Sequence, residues 1–258
     1  MVTRQVWVGA AGSQPLNTPG CRPWSAAQPS PYWTSFAALR AALWTDRALT
    51  WQQVVVDHEL PAALLAALRD DPAGCGVHLV HHDIGLTRNS TVQTTTFVAR
   101  DARTAGYQPA TLRQLAGTAA LRRRTGAPWS AWTVRAHHGG LYDSEQRCFR
   151  RVPTPDAIWR RDREEDVAWI EYDAGSHTRR VLAEKLRDYA APAQRSGPPR
   201  VQIWGAATEA RVWTIHQVAA DTLTPDAFAR FRVMTVDWRP QVQPQASLGP
   251  PLRKGEKR

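Results

Sequence analysis

Two early runs place apolar side chains at helical spacing. FAALRAALW carries Phe36, Leu39, Leu43 and Trp44, and LPAALLAALR repeats the pattern at Leu60, Leu64, Leu65 and Leu68. With TWQQVVVDHEL between them, residues 31–79 predict a small module that is mostly helical or winged-helix-like. Residues 1–30 mix Gly, Pro, Ser and Gln and predict an irregular lead-in. GVHLVHHDIG then leads towards a long helix over about residues 91–105, with HHD at its entrance, and QPATLRQLAGTAALRRR reads as a second helical element.

The pattern changes downstream. TVRAHH reads as a short strand and LYDSEQRCFRRV as a strand pair around an acidic turn. PDAIWRR and DVAWIEYD follow as two strands separated by the charged turn REED. The best-defined helix comes next, with Ser176 or Thr178 available as its N-cap and Val181, Leu182, Leu186 and Tyr189 forming one stripe. After the loop APAQRSGPPR, VQIWGA predicts a strand, TEARVWTIHQVAADT a helix and FRVMTVDW a last strand. The rhythm of strand, strand, helix, strand, helix, strand predicts an α/β domain over residues 80–238. Residues 239–258, rich in Pro, Gln and basic side chains, predict a disordered tail.

Charge sharpens this picture. The 258 residues carry a net charge of +10, which favours a polyanionic partner. Residues 1–80 hold five arginines and five acids, whereas residues 81–200 hold 20 basic and 13 acidic side chains, so the surplus belongs to the α/β region. Arginine supplies nearly all of it, which suits bidentate phosphate contacts and equally a GC-rich coding sequence. The lysines are Lys185, Lys254 and Lys257, and of these only Lys185 lies inside the folded region expected here. Cys21, Cys75 and Cys148 form neither a CxxC pair nor a disulfide framework. No secretory segment or apolar span is evident, so a cytoplasmic protein with no membrane partner is expected.

The candidate chemistry is acidic. Asp156 sits on one expected strand, and Glu171 and Asp173 on the next. Residues i and i+2 of a strand share a face, so Glu171 and Asp173 point the same way. If the strands are neighbours, Asp156 joins them in a set of hard oxygen ligands suited to Mg²⁺ or Mn²⁺. Such a cation polarises a scissile phosphate and acidifies an attacking water. Three neighbouring carboxylates raise one another's pKa, so a cation or a basic neighbour is expected beside them. Lys185 lies beside the apolar stripe of the following helix and can extend its ammonium towards the sheet. The competing reading is a set of structural ion pairs with a solvated Lys185. Candidate phosphate contacts are Arg122, Arg123 and Arg124 at a helix end, Arg150, Arg151, Arg160 and Arg161 flanking Asp156, and Arg179 and Arg180 opening the Lys185 helix.

PDAIW, then WIEYDAGSHTRRVLAEKLRDY, then VQIWGAATEARVWTIHQV together resemble the plasmid replication-relaxation protein family, itself related to restriction-endonuclease-like mobilisation relaxases. The resemblance spans about residues 80–218. It implies a restriction-endonuclease-like core with a mixed sheet flanked by helices, and it places Asp156 at the family's proline-aspartate position. Glu171 and Asp173 fall at its glutamate-x-aspartate position, and Lys185 and Tyr189 in its following helix. In this loop the chain has Ala174 and His177 where the family has arginine and glutamate. Asp173 stands where the wider nuclease superfamily has lysine, so catalysis would need Lys185 to act as a migrated lysine or would have to work without one.

The resemblance implies a DNA-binding protein of plasmid replication or mobilisation type, with Asp156, Glu171, Asp173 and Lys185 as catalytic set of a divalent-metal-dependent nickase or endonuclease. The partners expected are double- or single-stranded DNA, other plasmid-processing proteins and a second copy of the chain. Two rival readings stand beside it. One is an inactive nuclease-fold protein that binds DNA or a protein; the other is an assembly protein with no nucleic-acid role.

Overall fold

The computed structural model describes residues 32–87, 90–134, 140–143, 148–151, 154–160, 167–190 and 201–240, with backbone alone for 32–35, 140–143 and 148–151. The expected lead-in and almost all of the expected tail lie outside these residues.

The N-terminal part runs α1 (Tyr32–Asp46), β1 (Ala48–Thr50), α2 (Trp51–His58), α3 (Ala62–Asp70), β2 (His78–Gly85) and β3 (Val92–Ala99). Helix α2 starts where its sequence says it should. Thr50 caps it by accepting from the Gln53 amide, while the Gln53 side chain accepts from the Thr50 amide, a reciprocal capping box. The three strands form an antiparallel sheet in the order β1-β3-β2. Leu39, Leu43, Leu65, Leu68 and Val98 close a core between this sheet and the three helices.

Two expectations are corrected here. The helix expected over residues 91–105 is instead strand β3, followed by the single turn α4 (Ala102–Ala105). VQTTTFVA is rich in β-branched residues, and β3 is the middle strand, paired with β1 on one side and β2 on the other. HHD accordingly lies within strand β2 rather than at a helix entrance. Residue 80, the expected start of the α/β domain, lies within β2.

Helix α5 (Pro109–Thr125) leads into the second part. It begins with proline in its first turn and ends on Gly126 in the left-handed conformation, whose amide donates back to Arg122 and Arg123 carbonyls. A one-turn 3-10 helix at Trp129–Ala131 precedes β4 (Trp132–Val134). The hairpin β5 (Gly140–Asp143) and β6 (Cys148–Arg151) stands apart as a two-stranded sheet. Then follow β7 (Ala157–Arg160), β8 (Val167–Asp173), α6 (Arg179–Ala190), β9 (Val201–Ala206), α7 (Glu209–Thr222), α8 (Pro225–Ala229) and β10 (Phe231–Thr235). The main sheet has the order β10-β9-β8-β7-β4. Strand β7 runs antiparallel to its neighbours β4 and β8, and β8, β9 and β10 are parallel. The α/β rhythm expected from residue 132 onwards is the one found.

The two faces of this sheet are covered differently. Ile170 and Tyr172 of β8 and Ile203 of β9 pack with Leu112, Ala116 and Leu121 of α5. Alternate residues face the other way, where Trp204 packs with Leu182, Leu186 and Tyr189 of α6 and with Ile215 and Val218 of α7. Glu171 and Asp173 belong to this second register of β8. Close approach of α5 depends on Gly117, where a Cβ would lie 2.4 Å from the Tyr172 ring.

The candidate acidic site

The pairing that aligns Ala157 with Ile170 brings Asp156, the residue just before β7, opposite Glu171. The structure therefore joins these two acids as the sequence reading required. Asp156 is 2% exposed and Glu171 1%. Asp156 Oδ2 accepts from the Tyr172 amide at 2.8 Å and from Gln114 Nε2 at 2.5 Å, and Gln114 also donates to the Tyr172 carbonyl. Helix α5 thus holds Asp156 against the end of β8.

From the opposite layer, α6 supplies Lys185. Thr178 opens this helix by accepting from the Val181 amide, and Leu182, Leu186 and Tyr189 are buried along its stripe. That stripe turns Lys185 inwards: Nζ forms an ion pair with Glu171 Oε1, and the side chain is 25% exposed. The ammonium also lies 5.7 Å from the Tyr189 ring centre and 5.8 Å from that of Trp204, so aromatic faces line its path. Tyr189 Oη donates to Glu171 Oε2 at 2.8 Å. Tyr189 is both part of the core and a hydrogen-bond partner of the acid.

Two carboxylates share one ammonium, and this sets the electrostatics. Burial, reinforced by the Asp156 charge, pushes Glu171 from the ordinary 4.5 up to about 8 despite Lys185 and Tyr189. Burial also raises Asp156 against the pull of Lys185 and of its hydrogen bonds. Burial works to lower Lys185, but Glu171, Asp156 and Asp173 together hold it above its ordinary value. The cluster titrates as one unit with a surplus of negative charge that a proton or a cation must balance.

Asp173 shares the face of Glu171 but has other partners. Arg211 of α7 approaches its Oδ2 through Nη2 at 2.5 Å and Nε at 3.0 Å, and the Gly175 amide donates to Oδ1 at 2.7 Å. Arg211 also donates to the His177 carbonyl at 2.7 Å, tying down the loop between β8 and α6. Burial favours a higher pKa for Asp173, but His177 and Arg211 hold it below the usual carboxylate range. The expectation of three pooled carboxylates is therefore corrected to a pair, Asp156 and Glu171, beside a separate Asp173–Arg211 ion pair. Among the described residues, no group of three or more His, Cys, Asp and Glu is arranged to hold a metal ion.

The expected phosphate contacts divide similarly. Arg122, expected as a phosphate contact, is engaged with the fully buried Asp46 through Nε and Nη2, and Arg123 pairs with Asp57. Arg124 and Arg160 are exposed. Arg179 and Arg180 are exposed at the start of α6 and pair with Asp221 and Glu184. Arg150 and Arg151 lie on β6, where only the backbone is described, and Arg161 lies outside the described residues. Sequence reasoning missed Gln114 and Arg211. Gln114 is a polar residue beside the apolar face of α5, and Arg211 is a basic residue in the first turn of a helix; neither spacing named an acid partner.

A scan against family models and searches of curated proteins and of solved structures find no match to this chain. Among the described residues no helix is long and apolar enough to cross a membrane.

Proposed function

We propose that this chain is a DNA-processing protein in which a winged-helix module is joined to a restriction-endonuclease-like core of the plasmid replication-relaxation type, with divalent-metal-dependent strand cleavage as its chemistry. The observation that carries the reading is the convergence of Asp156, Glu171 and Lys185 from α5-buttressed β7, from β8 and from the crossover helix α6. The succession α5, β4, β7, β8, α6, β9, three antiparallel strands followed by a helical crossover to a parallel one, supports the nuclease-type core. For the first module, the order helix, strand, helix, helix, strand, strand with sheet order β1-β3-β2 supports a winged helix.

The donor set suits Mg²⁺ or Mn²⁺ in one respect: two hard carboxylates exceed their single ammonium, and Asp156 and Glu171 are the residues that would hold the ion. Such a cation would supply Lewis-acid polarisation of a phosphate oxygen and acidify a bound water. The chain's own groups do the rest. Gln114 and the Tyr172 amide fix Asp156, Tyr189 orients Glu171, and Lys185 offers an ammonium to negative charge developing on a phosphate. Arg179 and Arg180, exposed at the start of α6, offer charge to the flanking backbone.

A second reading is favoured by burial. Lys185 already engages Glu171 and both acids are almost fully covered, as in a neutralised structural network of a nuclease fold that binds DNA without cutting it. Supercoiled, linear and single-stranded DNA incubated with Mg²⁺ or Mn²⁺ separates the two. Nicked or linear product, abolished in Asp156→Ala and Lys185→Ala while binding persists, is the expected result. Binding without any metal-dependent product selects the second reading, and failure to bind any nucleic acid overturns both.

A further inference from the structure

A second cluster of charged side chains lies away from the acidic pair, where the end of α5 meets α1, β1 and α2. A cavity of about 380 Å³ opens there, within the range of sites that hold small organic ligands. Arg122, Arg123, Asp57, His58 and Trp129 line it, above an apolar floor that includes Leu49. Arg122 is held from behind by the buried Asp46, and its guanidinium lies 5.4 Å from the Trp129 ring centre. Its position is thereby fixed before any ligand arrives. Arg123 is half exposed and paired with Asp57. The Trp129 ring covers the Arg122 guanidinium and forms part of the cavity wall, while its own indole N–H is buried away from solvent.

We infer that this cavity binds a phosphate-bearing organic anion of mononucleotide size, with Arg123 as its donor and the apolar floor against its uncharged part. The donors outnumber the acceptors that line the space, since Asp57 is the only carboxylate among the lining residues and it must serve Arg123. Burial, with the charges of Arg122 and Arg123 adding to it, drives His58 down to about 4, so it stands in the cavity wall as a neutral hydrogen-bonding ring at pH 7. Burial likewise pushes Asp57 up to about 6 even with Arg123 beside it, a carboxylate that an incoming phosphate can displace. The same chemistry is offered by a free nucleotide and by the 5′-phosphate end of a DNA strand.

Calorimetric titration of the full chain with inorganic phosphate, a deoxynucleoside monophosphate and a short 5′-phosphorylated oligonucleotide tests the inference and separates the two sources. The expected result is saturable binding of the monophosphate or of the phosphorylated end, weakened at least tenfold in Arg123→Ala and strengthened in Asp57→Asn. An oligonucleotide lacking the 5′-phosphate is expected not to compete. Glu171→Gln is expected to leave this binding unchanged, so loss of cleavage and loss of this site are separate outcomes. The inference is overturned if no probe binds to protein that melts cooperatively, or if Arg123→Ala, melting as the parent does, binds every probe as the parent does.

Discussion

At the scale of single residues, Glu171 is the most informative position. Its side chain is buried between Lys185, Tyr189 and the charge of Asp156, and its folded-state pKa of about 8 exceeds the ordinary 4.5. The folded chain therefore retains a proton that the unfolded chain has released. This contribution to stability is complete below about pH 4.5 and is lost as the pH rises through about 8. Denaturant titrations of the metal-free protein across pH 5–9 are expected to show stability falling over this window, and Glu171→Gln is expected to flatten the fall. An unchanged slope in the variant would assign the effect elsewhere. The sequence placed Asp156, Glu171 and Lys185 together because strand alternation and a helical stripe are short-range rules. It could not separate Asp173 from the pair, because Arg211 reaches it from 38 residues away in the chain.

At the scale of elements, α5 shows how little clearance the packing leaves. Gly117 allows the helix to rest on the Tyr172 ring, which is fully buried and held in the centre of the sheet. A methyl group there has no space, so Gly117→Ala is expected to destabilise the fold by about 1–3 kcal/mol despite the better helix propensity of alanine, measured by denaturant midpoint. Strands β7, β8, β9 and β10 were legible because each carries a short run of apolar residues, as in AIW, VAWI, VQIW and FRVM. Strand β3 was not, since VQTTTFVA lies between glycine-poor polar segments and its identity as a strand comes from partners on both sides, β1 in particular, which is 3 residues long. The short helix α8 was missed for a similar reason: Thr224 caps it and Pro225 starts it, but five residues show no period.

At the scale of the whole molecule, the positive surplus belongs to the second part of the chain, and the structure sorts the arginines that supply it. Arg122 and Arg123 at the end of α5 work against buried or half-buried acids, whereas Arg179 and Arg180 stand at the surface at the start of the helix that carries Lys185. If DNA lies across that surface, replacing both with alanine is expected to reduce the slope of log K against log salt by about 1.8. Binding isotherms at several salt concentrations measure this, and an unaltered slope would move the duplex to another face. Net charge was readable from the sequence. The division between internal and external arginines was not, because Asp46 and Asp57 lie more than 60 residues from their partners.

The buried hydroxyl of Thr50 has a wider consequence. It donates to the carbonyl of Trp238 at 2.8 Å, and Gln53 beside it donates to the carbonyl of Ala116 at 2.9 Å, so one capping box is bolted to a helix and to the far end of the chain. Ala48 and Phe97 share their hydrophobic cluster with Leu112, Ile170 and Trp238. Each part keeps a core of its own, and this shared cluster joins them. The Thr50 hydroxyl finds this acceptor only after the segment that follows β10 has come back to the start of α2, so a cut near residue 100 is expected to lower the stability of both pieces.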